Sequence, residues 1–178
     1  MRLESPRLIL RPYSKDDFAS VHFYGSDPQF SRFESWGPNT EEDTQRFISD
    51  MIRQAESEPR YKFDFALEMK DLGAMIGGAG IRRETQNSRV ANLGWAIHPH
   101  YQKKGYATEA ARCLIEFGFF ELGLRVIYAT CDARNEASFR VMEKVGMRRV
   151  GHLIGDRMQK GFLRDTLRYE ILPEEFGG

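Results

Sequence analysis

The chain carries no surplus of either charge, no long apolar run and very little cysteine. Its 178 residues hold 26 basic and 26 acidic side chains, whereas a dedicated nucleic-acid binder shows a basic excess; no nucleic-acid partner is expected. No apolar run approaches the roughly 20 residues that span a bilayer, and Arg2, Glu4 and Arg7 interrupt any early run that would read as a signal peptide. The expectation is a soluble, cytoplasmic protein without a membrane partner. Cys113 and Cys131 lie far apart in apolar contexts and read as two buried thiols of a reducing compartment. His22, His98, His100 and His152 show no metal-ligand spacing, so no metal is expected. Repeats, low-complexity segments and linkers are also missing. What is present is apolar material for a sizeable core, 41% of residues with 12% aromatic, which fits one domain over 1–178.

The patterning predicts a mixed α/β chain. "RLILRPY" (7–13) reads as a strand closed by Pro12. A helix follows, with Ser14 as N-cap and Gly25 at its end. The aromatic stretch 26–38, broken by Pro28 and Pro38, reads as a loop or short irregular helix. Phe47, Met51, Ile52 and Ala55 recur at helical spacing. In 61–69, Tyr61, Phe63, Phe65 and Leu67 alternate with Lys62, Asp64 and Ala66, and 73–84 returns as the second strand of an antiparallel hairpin. After a turn at 85–88 comes a strand at 89–99. A helix over 106–122 places Ala107, Ala110, Ala111, Leu114 and Gly118 on one face and stops at Gly123. The run 125–131 reads as a strand buried on both faces. Asn135 and Gly146 bracket a further helix, and a strand pair closes the chain. The strand–helix–strand unit at 89–131 predicts a right-handed parallel crossover inside an otherwise mostly antiparallel sheet flanked by helices.

One turn carries chemistry. In "HPHYQKKGYATEA" (98–110), Gln102, Lys103, Lys104, Gly105, Tyr106, Ala107 and Thr108 join a strand to a helix. The first amides of a helix have no internal partner and carry partial positive charge, so a turn that aims them outward cradles a phosphate. Gly105 allows close backbone approach, Thr108 adds a hydroxyl, and the lysines complement a diphosphate. The alternative is a plain turn with solvated lysines. The position beyond the carboxyl end of a parallel strand favours ligand binding. "GGAG" (77–80) lacks dinucleotide-fingerprint spacing; its glycines read as places where something approaches the hairpin closely.

With these motifs in order, the sequence resembles the GNAT acyl-CoA N-acyltransferases. Gln102, Gly105 and Ala107 match their Q/R-x-x-G-x-G/A signature, after "LGWAIHP" and before "RVIYATC" and "NEASFRVMEKVGM". The opening "LESPRLILRPYSKDD" is similar to the branch of ribosomal-protein N-terminal acetyltransferases, with Ser5 where that branch has Thr. The resemblance spans nearly the whole chain. It implies the GNAT fold, with acetyl-CoA in a splay between the strands at 93–98 and 125–131. Main-chain groups near Ile97 and His98 would pair with the pantetheine arm, residues 102–108 would hold the pyrophosphate, and Asn135 and Ser138 would face the cofactor.

Catalysis would be direct attack of an amine on the thioester, with a base taking a proton and an acid returning one to the thiolate. Many members place Tyr seven residues after the Asn; this chain has Met142. Ser138 becomes the candidate acid, against the reading of a hydroxyl bonded to backbone. Relatives often have Glu where Asn92 stands, and an amide accepts no proton at neutral pH. Asp156 is the candidate base, with Glu84 and His98 behind it. Phe33, Glu34 and Trp36 are expected to bind the acceptor, since a carboxylate near aromatics suits an ammonium group. The acceptor implied is the N-terminal amine of a protein such as a ribosomal protein. The alternatives are a small amine (polyamine, amino acid or antibiotic) and a CoA-binding protein without turnover.

Overall fold

The computed structural model describes residues 1–177. Strands β1 (Leu3–Glu4) and β2 (Leu8–Arg11) are followed by helices α1 (Phe18–Gly25) and α2 (Glu41–Ala55). Then come β3 (Lys62–Met69), β4 (Met75–Arg83), β5 (Val90–Ile97), α3 (Tyr106–Phe120), β6 (Val126–Asp132), α4 (Glu136–Lys144), β7 (Arg148–Gln159) and β8 (Phe162–Ile171). They form one sheet in the order β1-β2-β3-β4-β5-β6-β8-β7. Every pairing is antiparallel except β5 with β6. The mixed sheet and its central parallel pair are therefore as the patterning predicts. The short β1 escapes sequence reading, because two residues hold no periodicity.

Two apolar layers sandwich the sheet. On one face Tyr13, Val21, Tyr24 and Ile48 from α1, α2 and the preceding loop pack on Ala66 and Met75. On the other, Ala110, Ala111, Leu114 and Ile115 of α3 pack on Phe63, Leu93 and Ile127. This double cover explains why Asp64 and Ala66, placed by alternation on a second face, are also buried. Asp64 survives burial because Arg82 grips both its oxygens and Gln54 Nε2 donates to Oδ2 at 2.6 Å. The glycines of "GGAG" make room for this packing: a Cβ at Gly78 would lie 2.0 Å from the Tyr13 hydroxyl oxygen, and one at Gly80 2.2 Å from Asp64 Oδ1.

Three expectations need correction. The residues after Ser14 open as a 3-10 turn, Lys15–Asp17, before α1 begins; Asp17 accepts from the Ser14 amide and holds that turn. β6 is not buried on both faces: Ile127, Ala129 and Cys131 are buried while Thr130 is exposed, because its second face opens where the neighbouring strand leaves. Cys113 is only half-buried, on α3 near the edge of the core.

The departure of that neighbour is the feature that makes a site. β5 pairs with β6 only from Val90↔Val126 to Asn92↔Tyr128. Beyond this β5 stays with β4 as far as Ile97, and β6 stays with β8 as far as Asp132. A wedge opens between two strands at the centre of the sheet.

Candidate active site

The anion turn sits at the end of β5. Lys103 and Gly105 adopt positive φ, 60° and 85°, and Gly105 is the N-cap residue of α3 without any side-chain cap. The first helical bond runs from the Glu109 amide to the Gly105 carbonyl at 3.0 Å. Among the described residues, the amides of 103–108 have no protein acceptor. Alternating left-handed residues followed by a helix start aim successive N–H groups into one concavity, which is the backbone geometry that binds phosphate. Lys103 and Lys104 are exposed beside it.

Gln102 plays a structural part, donating from Nε2 to the Ile97 carbonyl at 2.9 Å. The His98 amide donates to the Ile76 carbonyl at 2.8 Å. Alternation along the strand then turns Leu93, Trp95 and Ile97 away from β4 and into the wedge. The expected main-chain contacts at Ile97 and His98 divide: the Ile97 carbonyl and the His98 amide are engaged within the fold, while the Ile97 amide and the Trp95 main-chain groups face the wedge. The His98 side chain points away from the wedge, stacked on Phe23 at 4.5 Å, beside a smaller cavity with Asp16, Asp17 and Tyr101.

A cavity of about 810 Å³ opens along the wedge. It brings together Phe33, Glu34 and Trp36 with Asn92, Thr130, Cys131, Asn135 and Ser138. The 102–108 turn lies outside this lining, at the far end of the free β5 edge. Asn135 caps α4, accepting from the Ser138 amide at 3.3 Å. Among the described residues the Ser138 hydroxyl has no backbone partner, and it lines the cavity together with Cys131. Burial pushes that thiol up to about 11, against the pull of Ser138 and Arg164. Met142, 1% exposed, fills the place where a tyrosine acid would stand and offers no proton.

Asp156 and Glu84 are not brought into the cavity. Asp156 lies in the distal half of β7, 3.8 Å from the Arg157 guanidinium, and Glu84 is exposed just after β4, in the connection to β5. The carboxylate that does face the cavity is Glu34. Burial pushes its carboxyl above the usual range, opposed by the charges of Arg164 and Lys160. It forms no ion pair among the described residues. Every other cavity carboxylate is matched: Asp43 by Arg46, Asp50 by Arg53, Asp64 by Arg82 and Asp132 by Arg134.

The loop bearing Glu34 is held from the far end of the chain. Lys160 Nζ donates to the Ser31 carbonyl at 2.6 Å and the Trp36 carbonyl at 2.8 Å. Gln159 Nε2 donates to the Glu34 carbonyl at 2.8 Å, and Arg164 Nη1 to the Phe33 carbonyl at 3.3 Å. Lys160 itself sits at φ 51° in the β7–β8 turn. Sequence reasoning missed these three residues. The only local signal was "MQKG", an ordinary hairpin turn.

An acyl-transfer architecture is thus defined by a split parallel strand pair, an anion turn and a cavity with a hydroxyl and a carboxylate. The model of the acetyltransferase (GNAT) domain matches residues 7–148, and the chain belongs to the GNAT acetyltransferase family. It is 34% identical over 176 residues to the uncharacterized N-acetyltransferase YnaD of Bacillus subtilis, covering 99% of both chains. A crystal structure of a GNAT-family acetyltransferase from Bacillus anthracis superposes with a TM-score of 0.88 at 32% identity, over 98% of this chain and 100% of that one. Spermidine N(1)-acetyltransferase of Escherichia coli is 26% identical, covering 94% of this chain and 87% of its own. Among the described residues, no helix is long and apolar enough to cross a membrane, and no cluster of side chains could hold a metal ion.

Proposed function

We propose that the chain transfers an acetyl group from acetyl-CoA to an acceptor with a single ammonium group, the N-terminal amine of a protein. The observation that carries this reading is the charge state of the cavity. Glu34 is its one carboxylate without a matched cation among the described residues. One free carboxylate suits one ammonium; a polyamine, with several charges, would leave the others facing Arg46, Arg82 and Arg164.

The residues fit acetyl-CoA. The free amides of 103–108 with Lys103 and Lys104 suit a diphosphate, and the Trp95 main-chain groups and the Ile97 amide suit the amides of a pantetheine arm. When bound, acetyl-CoA supplies the thioester carbonyl. Glu34 would hold the incoming ammonium against Trp36 and Phe33 and take its first proton, so that the neutral amine attacks the thioester carbon. Ser138, at the start of α4, would deliver a proton to the departing sulfur and recover one from the nascent amide nitrogen.

The second reading is a small-amine acetyltransferase, favoured by the spermidine N(1)-acetyltransferase relative. Thiol release from acetyl-CoA, with peptides beginning in Ala or Ser set against spermidine and spermine, tests both. Faster turnover of peptides is expected. Preference for polyamines overturns the first reading, and thiol release no faster than hydrolysis with every amine overturns catalysis on either class.

A further inference from the structure

The opening motif "SPRLILR" has so far served only as a mark of family, yet its first residues reach the anion turn about a hundred positions away. Glu109 lies in the first turn of α3, where a carboxylate stabilises the helix but repels an anionic ligand. Its acceptor positions are filled by the N-terminal segment. Oε1 takes the Ser5 hydroxyl and the Arg7 amide, each at 2.7 Å, and Oε2 takes Arg7 Nε at 2.6 Å. The same guanidinium donates from Nη1 to the Lys104 carbonyl at 3.1 Å and lies 4.4 Å from the centre of the Tyr106 ring. Arg7 also comes close to Gly105, since a Cβ there would stand 3.4 Å from Nη2.

Two consequences follow from these contacts. The Lys104 carbonyl is drawn toward Arg7, so the peptide planes of the turn are fixed with their N–H groups directed outward. The negative charge of Glu109 is neutralised within hydrogen-bonding distance, so the concavity keeps its positive potential. Although burial favours a protonated Glu109, the bonds from Ser5 and Arg7 prevail and hold its carboxyl below the usual range.

We propose that Ser5 and Arg7 are positioning residues for the diphosphate cradle: they fix the turn through Lys104 and cancel the Glu109 charge that would otherwise face the ligand. Ser5 in place of Thr keeps the hydroxyl on which this depends. The proposal rests on the reading of 102–108 as a diphosphate site, and the test separates the two.

Calorimetric titration of the full chain uses CoA as probe, with thermal melts run in parallel. Arg7→Ala is expected to raise the Kd at least about tenfold, by loss of a charge-assisted hydrogen-bond set. Glu109→Gln alone is expected to stay within about threefold of wild type, and Arg7→Ala/Glu109→Gln to recover most of the loss, because the repulsion is gone. Ser5→Thr should bind as wild type and Ser5→Ala a few-fold more weakly. A plain scaffolding pair would behave otherwise: both single variants would weaken binding alike and the double would rescue nothing, which overturns the proposal. Binding by Arg7→Ala within twofold of wild type overturns it too. If Arg7→Ala does not fold, Arg7→Gln removes both the charge and the fork at similar length, and a Kd within twofold of wild type there has the same force. Absence of CoA binding by the wild type instead overturns the diphosphate reading itself.

Discussion

Glu109 and Glu34 are the same residue in two half-buried settings with opposite fates. Glu109 receives three hydrogen bonds from Ser5 and Arg7, and these hold its carboxyl low despite burial. Among the described residues Glu34 receives none, and burial pushes its carboxyl up. A saturated carboxylate is spent within the fold. An unsaturated one, held in a cavity by a loop whose carbonyls are tied down at four points, is left for a ligand. The two regions around them differ in the same way. The turn at 102–108 offers backbone amides, and its side chains set shape and charge. The 31–36 loop offers side chains, and a distant hairpin holds its backbone.

The comparison is broken most severely at the turn. Gly105→Asp places a side chain at φ 85°, a strain of about 1–2 kcal/mol, and adds a negative charge to the concavity. CoA affinity should fall at least about a hundredfold, at roughly 1.4 kcal/mol per factor of ten, while the fold persists by circular dichroism. Unchanged affinity would refute the cradle. Next comes the hydroxyl at the meeting point of the two regions. Ser138→Ala should lower kcat about a hundredfold at saturating acetyl-CoA, with KM for acetyl-CoA little changed; unchanged turnover rules out a necessary acid.

The smallest effect sharpens the contrast between the carboxylates. Glu34 has a raised folded-state pKa, so its charged form is penalised by folding, and the penalty is absent below the ordinary carboxylate range and complete above the raised value. Glu34→Gln should therefore raise Tm slightly at neutral pH, and the gain should vanish as pH falls through the ordinary carboxylate range. In wild type the acceptor KM should climb as pH falls through the raised pKa, since the counterion is lost; in Glu34→Gln it should be higher and flat. A Tm gain that persists at low pH would mean that packing, not charge, separates the two forms. Glu109 has the opposite sign: its hydrogen bonds stabilise the fold above the ordinary carboxylate value, and that contribution is lost as pH falls through its lowered pKa.

Much of this was legible in the chain itself, for a physical reason. Helix starts, hairpins and the anion turn depend on neighbours within a few positions, so Asn135, Gly105 and the parallel crossover could be read from spacing. The place of Ser138 on the cavity wall was reachable because it shares a helix start with Asn135. Asp156 was not separable from other carboxylates by sequence, and the fold leaves it outside the cavity. Which main-chain groups of Ile97 and His98 stay open could not be read either, because which amide faces the neighbouring strand depends on register.

The sequence by itself determined the order of elements, the mixed sheet and the glycine turn that opens α3, because those follow from local propensity and periodicity. Tertiary structure decided which charges remain free. Arg7 on Glu109, Arg82 on Asp64 and Lys160 on the 31–36 loop are contacts between segments far apart in the chain, made only when the sheet forms. Through them one carboxylate is closed off and another left open.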